Sequence, residues 1–181
     1  MERDVARVAL FAALIAALGL IPQITLPFAG GVPITAQTLG VMLAGLIRGP
    51  WRGALAILVF IAVVALGAPL LAGGRGGFGV FAGPSAGFLF GWVAGALVVG
   101  WLIERGWAGL GFARAMMATS LGGIVVVYLV GIPWLAVAAE MTLWNAAIAA
   151  GAFIPGDLIK AGIASAVILG VKRSYPLIAV Q

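Results

Sequence analysis

Apolar residues run along this chain in long blocks, separated by short stretches rich in Gly, Pro and charge. The first block, residues 5–21, is just long enough to cross a bilayer as a helix. Residues 22–33 (PQITLPFAGGVP) hold three prolines and two adjacent glycines, which predict a loop or a cap at the membrane surface. Residues 34–47 form a shorter block with Thr35, Gln37 and Thr38 in its first turn. A short segment with a polar first turn is the signature of a helix lining an internal cavity. Arg48-Gly49-Pro50-Trp51-Arg52-Gly53 predicts a tight basic turn with an interfacial Trp. Further blocks cover 54–71, 84–103, 115–139 (broken by Gly131 and Pro133) and 156–171. The expected fold is all-α: one polytopic membrane domain over residues 1–181, with six transmembrane helices in a single bundle.

Small residues recur at four-residue spacing on two of these blocks. Gly87, Gly91 and Gly95 make a face for close helix contact, and Ala9, Ala13 and Ala17 make another on the first block. The alanine ridge reads either as a docking face for a partner helix or simply as good helix-forming sequence.

Composition fits a chain dissolved in lipid. Hydrophobic residues make up 64% and charged residues 8%, more apolar surface than one soluble core of this length hides. The charges also set orientation. Arg3, Arg7, Arg48, Arg52, Arg105, Arg114, Lys172 and Arg173 fall at the start, at alternate connectors and at the end of the chain. Six spans put them on one side, which the positive-inside rule makes cytoplasmic, with both termini. A net charge of +5 placed this way suits a membrane and its lipid, and no nucleic-acid partner is expected. With no Cys, no His and five acidic residues, the chain lacks the material for thiolate or imidazole chemistry. No catalytic residue, metal site or cofactor is expected, and an enzyme is the least favoured class.

The remaining polar residues gather on the opposite side. Asp157 and Lys160 stand three residues apart at the head of the last block, on one helical face. Ionisable groups in such a segment are costly and mark a site by default. The spacing equally allows a pair that only neutralises itself. Residues 72–84 set six glycines around Arg75, with Phe78 and Phe81 alongside. This is a flexible linker or a binding loop, and not a nucleotide fingerprint, because no strand precedes it. Together Thr35, Gln37, Arg75, Asn145, Asp157 and Lys160 form the candidate site, with Phe28, Phe78, Phe81, Trp134 and Trp144 as walls. Such a pocket suits a small ligand with an apolar body, hydrogen-bonding groups and one negative charge.

Three ordered motifs carry a resemblance: Gly31-Val32-Pro33-Ile34-Thr35-Ala36-Gln37-Thr38-Leu39-Gly40-Val41, the Gly-rich loop running into Gly83-Pro84-Ser85-Ala86-Gly87-Phe88, and Pro155-Gly156-Asp157-Leu158-Ile159-Lys160. With six spans, they are similar to the BioY family, the biotin-specific membrane subunits (S components) of energy-coupling factor transporters. That family usually reads Gly-Pro-Thr-Gly-Gly-Tyr at the second motif, where this chain has Ser85, Ala86 and Phe88. The resemblance implies a six-helix binder of external biotin in the bacterial cell (inner) membrane. It also implies a transmembrane coupling (T) subunit and two cytoplasmic ATPases as partners, and Ala9, Ala13 and Ala17 as the docking ridge. The chain itself has no phosphate-binding P-loop stretch. Biotin's ureido ring suits Asp157 with Gln37 or Asn145. Its carboxylate suits Arg75 or Lys160, unless Lys160 instead meets the ureido oxygen. An S component for another vitamin and a biotin carrier working without ATPases are the alternatives.

Overall fold

The computed structural model describes residues 2–25 and 32–174. Helix α1 spans Glu2–Gly19 and ends before Pro22. A minimal hairpin then pairs β1 (Ile24–Thr25) with β2 (Pro33–Ile34), which delays the next helix to Gln37. Phe28 lies outside the described residues.

The helix α2, Gln37–Ala65, is folded back on itself. Gly49 has φ 76° and ψ −176°, a conformation open to glycine, and Pro50 follows it. In a straight helix residues 45 and 53 stand about 12 Å apart. Here a Cβ on Gly53 would lie 3.1 Å from the Cα of Gly45, so the arms 37–48 and 50–65 run antiparallel. The second arm stops at Ala65, short of residue 71, because Gly67 turns at φ 108° and Pro69 supplies no N–H.

A loop and a short 3-10 turn (Phe78–Phe81) lead into α3, Ala86–Arg105. The glycine ridge on α3 is a packing seam. Cβ atoms on Gly91 and Gly95 would meet the carbonyl oxygens of Val127 at 2.8 Å and Gly122 at 2.6 Å. A continuous helical rod follows as α4 (Phe112–Ser120), a π-helical segment (Leu121–Val126) and α5 (Val127–Ala138). The expected break at Gly131 and Pro133 does not occur. Pro133 is exposed and interrupts the ladder without ending the helix, while Gly131 makes room for the Phe88 ring. The short helix α6 (Leu143–Gly151) precedes α7, Ile154–Ser174.

Among the described residues, four helices are long and apolar enough to cross a membrane: Gln37–Ala65, Ala86–Arg105, Phe112–Ala138 and Ile154–Ser174. Helix α1 differs by carrying Glu2, Arg3, Asp4 and Arg7 at its start. The chain is a multi-pass membrane protein whose two ends differ in chemistry. At one end, Asp4 pairs with Arg48 at 3.0 Å, and the Lys172 ammonium donates to the Trp107 carbonyl at 2.8 Å. The other end gathers the close of α1, the starts of α2, α3 and α7, and the loop after α2. That end holds the pocket.

Candidate functional site

The site is built where four element ends meet. Pro155 occupies the first turn of α7, where its missing N–H is not needed, and this sets Asp157 and Lys160 one turn further in. Asp157 is buried, and one carboxylate oxygen accepts from the Lys160 ammonium at 2.8 Å and from the Thr38 hydroxyl at 3.2 Å. Lys160 also donates to Thr38 Oγ1 at 2.9 Å. The second carboxylate oxygen accepts from the Tyr128 hydroxyl at 2.7 Å. Tyr128 sits just beyond the π-helical segment, which re-phases the rod so that Val127 and Tyr128 line the cavity.

The cleft is partly open to solvent and lined mainly by apolar side chains, with a few polar groups converging on it. Its apolar wall consists of Phe88, Trp92, Val127 and Phe153, with Leu71 and Leu89. Phe88 stands edge-on to both Tyr128 and Phe153, with ring centroids 5.9 and 6.4 Å apart. Arg75 reaches the same cleft from the loop after α2. Its Nε donates to the Ala72 carbonyl at 3.2 Å and one terminal nitrogen to Ser85 Oγ at 3.3 Å. Burial pulls its pKa below the ordinary arginine value, yet a guanidinium there stays charged at neutral pH. Its fork has more donors than those two bonds use.

Of the expected residues, Thr35, Gln37, Arg75, Asp157 and Lys160 line this cleft. Gln37 does so with its amide already engaged by the protein: it donates to the carbonyls of Ile15 and Leu70 and accepts from Ala72 N–H. Asn145 lies elsewhere, exposed on α6 in the first turn after its Thr142 cap. Phe78 is 79% exposed, and Phe81 packs on Phe90, so neither forms the wall. Trp144 is exposed, and Trp134 donates its indole N–H to the Gly83 carbonyl at 3.0 Å. Tyr128, Thr38, Ser85 and the inner aromatic wall are the additions. A phenol in the middle of an apolar block is the available signal for Tyr128.

Saturation of these groups can be counted. Asp157 offers about four lone-pair sites and Lys160 three donors. Among the described residues, the bonds to Tyr128, Thr38 and Lys160 use three of those carboxylate sites and two of those ammonium donors. Tyr128→Phe removes a hydrogen bond to a charged group, which is worth about 1.5–3 kcal/mol. This variant is expected to lower the thermal midpoint of the ligand-free protein, and differential scanning calorimetry checks it. An unchanged midpoint would show that the phenol contributes nothing to holding Asp157.

The fold and the cleft together define a multi-pass helical membrane protein with an internal cleft, apolar in its body and charged at its head. The chain belongs to the BioY family, whose model matches residues 2–177. It is 50% identical to the biotin transporter BioY of Rhizobium etli, over 97% of this chain and 96% of that one. It is 48% identical to the biotin transporter BioY of Rhodobacter capsulatus, over 97% and 96%. A crystal structure of the S component for biotin from an ECF-type ABC transporter superposes with a TM-score of 0.88 at 30% identity, covering 95% of this chain and 92% of that one.

Proposed function

We infer that this chain is the substrate-binding membrane subunit of a biotin uptake system, a transport component and not an enzyme. It captures external biotin and delivers it inward together with an ATP-driven coupling module. The observation that carries the reading is the Asp157–Lys160 pair, which lines the cleft and keeps, by count, one acceptor and one donor beyond its bonds among the described residues. A carboxylate and an ammonium in one cleft complement an N–H and the C=O of a cyclic urea. The aromatic wall suits the bicyclic body and valeryl chain, and Arg75 suits the carboxylate.

Six crossings follow if α1 and both arms of α2 each span. The basic end then faces the cytoplasm with both termini, and the cleft faces outward in the bacterial inner membrane. Ala9, Ala13 and Ala17 are all exposed along the outer face of α1, which supports a docking ridge for a transmembrane coupling subunit; two cytoplasmic ATPases complete the module.

Radiolabelled biotin uptake tests this reading in cells that express the chain with its coupling subunit and ATPases. Uptake should be saturable and, at low external biotin, fall sharply in Asp157→Asn. Uptake that persists unchanged in that variant contradicts the site. Equal uptake without the ATPases contradicts the ATP-driven delivery.

A further inference from the structure

Gln37 is 1% exposed, and its amide joins three separate pieces of chain. Nε2 donates to Ile15 O in α1 and to Leu70 O in the loop after α2, at 3.1 Å each. Oε1 accepts from Ala72 N–H at 3.0 Å. Two carbonyls on one side and an N–H on the other fix which way the amide points. Ala72 in turn offers its own carbonyl to Arg75 Nε, at 3.2 Å. Leu71 and Arg75 exchange backbone hydrogen bonds at 3.0 and 3.2 Å, closing the loop on itself. An unbroken path thus leads from α1 through Gln37 and Ala72 to the Arg75 guanidinium.

The same junction is tight from the other side. A Cβ on Gly19, the last residue of α1, would collide with the Leu70 carbonyl and stand 2.9 Å from Gln37 Nε2. The close of α1 and the loop are therefore in direct contact, with no room for a methyl between them.

We propose that Gln37 is a positioning residue that fixes the 70–75 loop to the end of α1, so that α1 and the Arg75 wall of the pocket move as one body. Its consequence for ligand rests on the biotin reading above. A partner seated on the outer face of α1 then acts on the pocket through this amide, without touching it.

Hydrogen exchange on the purified, ligand-free protein tests the tie directly. In Gln37→Leu the Ala72 N–H loses its acceptor and the Leu70 carbonyl its donor, and exchange of the amides of residues 70–75 should rise about tenfold or more, while the middle of α3 stays protected. Gly19→Ala keeps the amide but wedges the junction, and should produce the same local pattern. Loop exchange that is unchanged in both variants overturns the proposal. Exchange that rises throughout the protein in both also overturns it, because Gln37 is then a general support.

Biotin affinity supplies a second readout. If Gln37 acts through Arg75, adding Gln37→Leu to Arg75→Ala should change the affinity less than about twofold, although Gln37→Leu alone weakens it. Additive losses contradict action through Arg75. If the wild-type chain binds no biotin, the functional reading fails, and the exchange pattern alone decides the tie.

Discussion

Asp157→Asn is expected to raise the dissociation constant for biotin about 100-fold, roughly 3 kcal/mol, the upper range for a hydrogen bond to a charged group. The variant loses the charge proposed to meet a ligand N–H, and its amide NH2 turns a donor toward groups that already donate, Tyr128, Thr38 or Lys160. It also strands the Lys160 ammonium, whose side chain is 14% exposed. Removing one partner of a buried pair typically costs about 3–5 kcal/mol of stability. Binding and folding therefore both suffer, and a second variant separates them. Asp157→Leu combined with Lys160→Met removes both charges, and such apolar replacement is often neutral or stabilising. Thermal stability should recover in the double variant while biotin affinity does not. Recovery of affinity would mean that the pair holds only itself.

Gly100→Ala is expected to disrupt the helix bundle, at a cost of about 3 kcal/mol or more. The residue sits on α3 where the two arms of α2 turn, and an added Cβ would strike the backbone of Gly49 and Pro50. Backbone atoms cannot rotate aside as a side chain does, and Gly49 is already held at φ 76°. Gly79→Ala is the control, since a Cβ there meets nothing within 4 Å. The two midpoints, measured side by side in detergent, should differ by many degrees. Equal midpoints would show that the α2 turn does not depend on close contact with α3.

The helical blocks and the charged pair were legible in the sequence for physical reasons. Apolar runs in lipid have few ways to satisfy their backbone, and a carboxylate in such a run is conspicuous. The loop around Arg75 was legible because glycine density and a lone cation coincide there. The inner aromatic wall was not. Phe88, Trp92 and Phe153 look like any lipid-facing aromatic until the helices are packed, whereas Phe78 and Trp144 stand out by lying in polar stretches yet prove exposed. Tyr128 depends on the π-helical segment for its direction, and no local pattern announces that re-phasing. Gln37 was conspicuous for its polarity, but its partners come from α1 and a loop more than 30 residues away, at Leu70 and Ala72. Asn145 shows the opposite case, a polar side chain placed by its helix on an exposed face.

Equilibrium binding of biotin to the purified chain, measured beside thiamine and riboflavin, separates the biotin reading from its rivals. Saturable one-to-one binding of biotin and none of the other two is expected, with affinity falling about 100-fold in Asp157→Asn. Retention of another vitamin in place of biotin, or biotin binding indifferent to Asp157, would contradict that reading.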